Sequence, residues 1–231
     1  MDFYIDWKLC FIVLGALAQF SIAAPNDYDF LLFAQQWPMT TCIQNGRQRN
    51  NCNIPHNDWT VHGIWPSKNV PERGPEDCDN SNRLRVQNLA NIRPQLETRW
   101  LNVLNNNAEG FWSWEWKNHG TCSLDLPALN SQNKYFSQGL TWNNDYVIGT
   151  ILNNGNIRPG GIYTLQNIQR ALRAGLNNVT PQVSCFRDKS GTRQFLHEIR
   201  ICLSKSLQLI NCAGHVSETN CNRRLDIEYP A

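Results

Sequence analysis

No close cysteine pair of the C-x-x-C kind occurs in this 231-residue chain, which removes the usual framework of a structural zinc site. Beyond the N-terminal segment, nothing approaches the ~18 consecutive apolar residues that a membrane span needs. Gly/Ser-rich linkers and internal repeats are also missing, so nothing divides the chain into units. Charge of one sign is scarce: 21 Lys and Arg stand against 19 Asp and Glu, a formal net charge of +2. Composition alone therefore makes no electrostatic case for a polyanionic partner.

What is present starts with a leader. Lys8 precedes an apolar run over residues 9–20, and small residues Ser21, Ala23 and Ala24 follow it. This pattern predicts a secretory signal peptide over 1–23, cleaved after Ala23, and an exported, soluble domain over 24–231. About 208 residues remain, within the size that one hydrophobic core can serve. Losing Lys8, Asp2 and Asp6 takes the 21 basic and 19 acidic residues to 20 and 17, a formal charge of +3. Cys10 leaves with the leader, and the remaining eight cysteines, an even number in an exported chain, predict four disulfides. Eight cysteines allow ~105 pairings; short separations favour Cys42 with Cys52 and Cys202 with Cys212. Asn178 opens an N-glycosylation sequon, with Pro181 just after it.

Periodicity gives a coarse fold. Residues 28–37 form an aromatic, apolar strand ending at Pro38, and a polar loop carrying Cys42 and Cys52 follows. Residues 59–64 alternate as a second strand, with Trp59, Val61 and Gly63 on one face, Thr60, His62 and Ile64 on the other, and Pro66 as its stop. The charged, proline-containing stretch 67–77 predicts an exposed loop. Helical spacing appears at Leu84, Val86, Leu89 and Ile92, and again at Leu96, Trp100, Leu101 and Leu104, interrupted at Pro94. Further helices are expected over 111–118, 132–140, 145–152 and 164–176, then strands over 182–186, 194–203 and 207–212. Strands at both ends with helices between them imply an α+β fold, a central antiparallel sheet flanked by several helices.

Two stretches carry the chemistry. One holds His62 among aromatics; in the other, Glu115, Asn118 and His119 stand at i, i+3 and i+4 of a helix and share a face, with Lys117 pointing elsewhere. Histidine titrates near neutrality, so two imidazoles can divide the roles of proton acceptor and donor. A carboxylate one turn away should raise the proton affinity of His119. Taken alone, such a Glu and His pair is ordinary solvated helix surface. His56, His197 and His215 are expected to be structural or solvated.

The residues Val61-His62-Gly63-Ile64-Trp65-Pro66, Phe111-Trp112, Glu115-Trp116 and His119-Gly120-Thr121-Cys122 resemble the two active-site segments of the secreted ribonuclease T2 family. The likeness runs from about Tyr28 to Tyr229 and includes Gln36-Trp37-Pro38 and all eight mature cysteines. Residues 159–185, the sequon, the loop after Pro66 and the slight basicity look most like the self-incompatibility S-RNases of plant styles, the rose-family type in particular.

The resemblance implies an endoribonuclease that needs neither metal nor cofactor, takes RNA as substrate, and works as a secreted monomer without a membrane. His119 would take the 2′-hydroxyl proton, His62 would protonate the departing 5′-oxygen, and Glu115 would assist. Gln36, Trp65, Trp112 and Asn118 would bind substrate, Trp65 either by stacking on a base or as a core aromatic. Paired cysteines would be Cys42 and Cys52, Cys78 and Cys122, Cys185 and Cys221, and Cys202 and Cys212. An S-RNase would also meet a pollen-side recognition protein, with 67–77 as the specificity loop. Two departures stand out: Trp114 replaces a histidine, and Asn118 replaces a lysine that would stabilise phosphoryl charge. They predict a slow enzyme and motivate the alternative of a catalytically silent storage or binding protein.

Overall fold

The computed structural model describes residues 27–54, 58–71 and 74–231; the expected leader, His56 and part of the 67–77 loop lie outside them. Strand β1 (Phe30–Gln36) is buried at every position because both faces of the sheet are covered. Leu31 and Phe33 join the main core, while Phe30 and Leu32 join a second cluster with Cys202 and Cys212. That explains its unbroken apolar sequence.

Pro38 does not lead into a loop. It opens helix α1 (Pro38–Gln44), where its missing N–H costs nothing because the first turn has no internal acceptor for it. Strand β2 (Thr60–Ser67) likewise runs through Pro66, which pairs with Leu31. β2 is an edge strand, so a proline is tolerated on its outward side.

Helix α2 (Arg93–Arg99) carries Pro94 in its first turn rather than being broken by it, and the apolar spacing before it makes only a 3-10 turn over Val86–Leu89. Helix α3 (Ala108–Asn118) begins three residues earlier than expected, because the Asn107 side chain accepts from Gly110 N and caps it. Helices α4 (Gln132–Asp145) and α5 (Ile148–Asn154) follow, then β3 (Ile162–Tyr163) and α6 (Leu165–Gly175), capped by Thr164. Strands β4 (Gln182–Arg187), β5 (Gln194–Ser204), β6 (Leu209–Ile210) and β7 (Ile227–Glu228) complete the chain.

The sheet runs β2-β1-β5-β7-β3, with β4 and β6 also paired to β5. All pairs are antiparallel except β5 with β7, which corrects the expected all-antiparallel sheet at one place. The α+β class stands, and the four disulfides link Cys42–Cys52, Cys78–Cys122, Cys185–Cys221 and Cys202–Cys212.

Five tryptophans, each at most 2% exposed, dominate the main core: Trp37, Trp59, Trp100, Trp112 and Trp116. Each indole N–H has an acceptor: Pro230 O, Tyr229 Oη, His62 O, Trp100 O and Asn82 O respectively. Trp112 therefore packs and cannot touch substrate, contrary to the expectation for it.

Replacing Tyr229 by Phe keeps the ring packing but removes the acceptor for Trp59 Nε1, 2.7 Å away in a buried site. An orphaned buried donor costs roughly 1–3 kcal/mol. Tyr229→Phe should lower the urea midpoint without changing the slope, and an unmoved midpoint would show that the bond contributes nothing net.

Candidate active site

His62 reaches the site through a register irregularity. Gly63 pairs with Ala34 and Val61 with Gln35, so His62 is an extra, unpaired residue in β2. The bulge breaks the simple alternation expected here. Val61 and Ile64 both enter the main core, while His62, Gly63 and Trp65 face the side of the sheet that carries Gln36, Glu198 and Arg200. The Trp100 indole donates to His62 O at 2.8 Å and anchors the bulge.

On that face, His62 Nδ1 lies 2.6 Å from Glu198 Oε1, and Nε2 lies 3.8 Å from Glu115 Oε1. Burial opposes a charged imidazole, but the Glu198 carboxylate outweighs it, aided by Glu115 and opposed by Arg200, and the His62 pKa is raised. For Glu198, burial is again the adverse effect, and His62 and Arg200 overcome it, holding the carboxyl far below its usual range.

Glu115 is fully buried on α3. Burial pushes its pKa up to about 7, Glu198 adds to that, and His62 with the Trp65 N–H pulls the other way. Its Oε2 accepts from Trp65 Nε1 at 3.2 Å, and Oε1 has no hydrogen-bond partner among the described residues. The carboxyl fits only because residue 63 is glycine: a Cβ there would stand 2.1 Å from Glu115 Oε2 and 2.3 Å from Trp65 Nε1.

His119 caps the C-terminus of α3 with φ −124° and ψ −46°, outside helical geometry. Its ring therefore leaves the line of Glu115 and lies 5.6 Å from Trp65 and 5.8 Å from Trp114. Glu115 addresses His62 instead. The expected rise in His119 proton affinity is thus overturned: burial, then the charge on His62, lowers its pKa to about 3.

The two imidazoles meet across Trp65, whose ring is 5.0 Å from His62 and has the Arg200 guanidinium over it at 5.0 Å. With Arg200 there and the second cluster beside it, Trp65 holds the site together more than it offers a bare face to a base. Gln36 lines a cleft of about 660 Å³ with Thr41, His62, Asn102, Phe111 and His197. His197 was expected to be incidental. Asn118 gives its amide N–H to Trp114 O at 2.8 Å, and Lys117 pairs with Asp77 at 3.5 Å. Trp114 stands 55% exposed beside His119.

Sequence reasoning missed Glu198 and Arg200. The available signal was two charged residues, two apart, inside the largely apolar 194–203 strand.

The Ribonuclease T2 family model matches residues 28–212, most of the chain, and both histidine segments fall inside that span. The chain belongs to the ribonuclease T2 family. It is 37% identical over 212 residues to "Ribonuclease Oy" of Magallana gigas, covering 89% of this chain and 97% of that one. Among solved structures, ribonuclease MC1 from bitter gourd seeds superposes with a TM-score of 0.76 at 27% identity, covering 87% of this chain and all of that one. A variant of that protein has been solved in complex with 5′-UMP. The self-incompatibility-associated SF11-RNase of Nicotiana alata matches with a TM-score of 0.73 at 22% identity, over 89% of this chain and all of that one, a likeness of fold alone.

For this ribonuclease, proton NMR of the imidazoles should find His62 titrating above 6.5 and His119 neutral down to about pH 3. His119 binds a proton below 6.5 when unfolded but only near 3 when folded, so its contribution to stability is present above 6.5 and disappears as pH falls through that window. An ordinary His119 midpoint would contradict the burial described. Gly63→Ala should displace Glu115 and Trp65 and cost about 1–3 kcal/mol in urea unfolding.

Proposed function

We propose that this chain is an exported, metal-independent endoribonuclease that cleaves single-stranded RNA by transphosphorylation. The observation that carries the reading is a pair of histidines, remote along the chain, that lie 5.0 and 5.6 Å from the one Trp65 ring, in surroundings that push the proton affinity of His62 up and of His119 down. Groups set apart in this way are suited to opposite proton-transfer roles.

Neutral His119 takes the proton of the ribose 2′-hydroxyl, and the oxygen attacks the adjacent phosphorus. The P–O5′ bond breaks, charged His62 gives its proton to the departing 5′-oxygen, and a 2′,3′-cyclic phosphate remains. An entering phosphodiester anion makes a charged imidazole more favourable, which raises the basicity of His119 when it is needed. DNA has no 2′-hydroxyl to attack. The unpartnered Glu115 Oε1, on a carboxyl with pKa about 7, is placed to hydrogen-bond a phosphoryl oxygen in its neutral form. The cleft at Gln36 and Phe111 receives a base of the substrate. One copy of the chain holds every one of these groups, consistent with a monomer.

Export is supported by eight cysteines in four disulfides, a pattern of oxidising compartments, and the sequon Asn178 stands exposed for a glycan. The finer reading, a style S-RNase meeting a pollen protein, draws its support from residues 159–185 and the 67–77 region. Within that region Val70 is exposed, but Ser67 and Pro75 are buried. The 37% identity to a protein of Magallana gigas favours the general ribonuclease over that specialised role.

Asn118 and Trp114 favour a second reading, a silent storage or binding protein. Asn118 brings no charge to the phosphoryl group, and one missing stabiliser of this kind costs roughly 10²–10³ in rate. On purified protein, His62→Ala and His119→Ala should each slow RNA digestion by roughly 10²–10⁴, with no effect of EDTA on the wild type. Asn118→Lys should speed digestion. Variants that match the wild type would remove the enzyme reading.

A further inference from the structure

The function proposed above uses His62 as the acid and leaves unexplained why an ionised carboxylate lies buried behind it. Glu198 is 1% exposed in the middle of β5. Such a charge is tolerated only when its oxygens are fully engaged by opposite charge and hydrogen bonds. Here Oε2 accepts from Arg200 Nε at 2.8 Å and lies 2.6 Å from Nη2, while Oε1 faces His62 Nδ1 at 2.6 Å. Arg200 is itself fixed, donating from Nη1 to Gln182 Oε1 at 3.0 Å and lying over the Trp65 ring.

We propose that Glu198 is a positioning residue for His62: it fixes the proton on Nδ1 and turns Nε2 toward the leaving oxygen of RNA. The proposal rests on His62 being the acid.

The chemistry of the pair leaves one arrangement. A carboxylate already gripped by a guanidinium is an acceptor only, so the bond to His62 requires Nδ1–H. The second, transferable proton of the imidazolium is then on Nε2. That nitrogen lies on the cleft side, toward the unpartnered Glu115 Oε1. The β2 bulge sets the distance, since Glu198 pairs across β5 and β1 with Gln36, beside the point where His62 is inserted. Neutral imidazole ordinarily prefers the Nε2–H form, which would aim a lone pair at Glu198 and oppose its charge. Glu198 removes that form.

The groups facing His62 come from three elements. Glu198, Arg200 and His197 lie on β5, Glu115 and His119 on α3 and its cap, and Tyr135 of α4 bonds Ile64 O nearby. Replacing Glu198 by a neutral residue leaves Arg200 as the uncompensated neighbour, so His62 should lose its proton at lower pH.

The test compares two substrates on the full chain: an RNA dinucleotide, whose leaving alkoxide needs a proton, and a nucleoside 3′-(4-nitrophenyl phosphate), whose leaving phenolate does not. Glu198→Gln should cut kcat on the dinucleotide roughly 10–100-fold, part of the roughly 10²–10⁴ that proton transfer by a positioned acid supplies. The alkaline limb of its pH profile should move to lower pH, and the loss on the aryl ester should be much smaller. Glu198→Asp, keeping the charge, should recover part of the dinucleotide rate. Equal losses on both substrates in a folded variant, or an unmoved alkaline limb, would overturn the role of Glu198. His62→Ala is the control: if the aryl ester does not rescue it, the assignment of His62 as acid fails instead. Should Glu198→Gln not fold, nitrogen-15 NMR of the wild type above the His62 midpoint decides the matter, because Nδ1–H is expected and an Nε2–H tautomer refutes it.

Discussion

One inserted residue in β2 governs the site. Without it, the period of two would send His62 to the same face as Ile64, into a core filled by tryptophan and leucine. With it, two successive residues, His62 and Gly63, look onto one face. The first supplies an imidazole and the second supplies vacancy, and into that vacancy α3 inserts Glu115. A bulge elsewhere on β2 would keep the strand and lose the site. Its position is held by the Trp100 indole, so the core and the chemistry share one hydrogen bond.

From that geometry the electrostatics follow. The same burial acts on both histidines and disfavours charge on each. What separates them is company: His62 sits against an ionised carboxylate, and His119 lies against the rings of Trp65 and Trp114, with the charge of His62 opposing its own. Glu115 and Glu198 divide in the same manner, since Arg200 grips only one of them. Two buried carboxylates near one imidazole would be costly if both were ionised, and the raised pKa of Glu115 relieves that cost.

Much of this was legible in the sequence. The apolar run of β1, the amphipathic α6, the strand at 194 and the cysteine pairs of short separation all follow from local pattern, and the two histidine segments follow from the family resemblance. The parts that were not legible depend on tertiary context. Pro38 and Pro66 signal breaks in isolation, yet one opens a helix and the other lies on an edge strand where no partner needs its N–H. Glu115 and His119 share a face only if the helix continues, and it ends at Asn118. Trp112 looks like a site aromatic until the core shows its indole bonded to Trp100 O. Glu198 stands 136 residues from His62, so no local window joins them.

The departures at Trp114 and Asn118 gain meaning from the same frame. A lysine at 118 would set a positive charge next to His119 and lower its pKa further, an effect that the gain from stabilising phosphoryl charge has to outweigh for the faster digestion proposed for Asn118→Lys. Asn118 instead bonds back to Trp114 O and brings no charge. Arg200 is committed to Glu198, and Lys117 is drawn to Asp77. A buried carboxyl whose pKa lies near 7 then matters more than it would beside a lysine, because in its neutral form it donates a hydrogen bond without adding charge. In the proposed reaction its unpartnered oxygen is the group left to meet the charge that Asn118 does not.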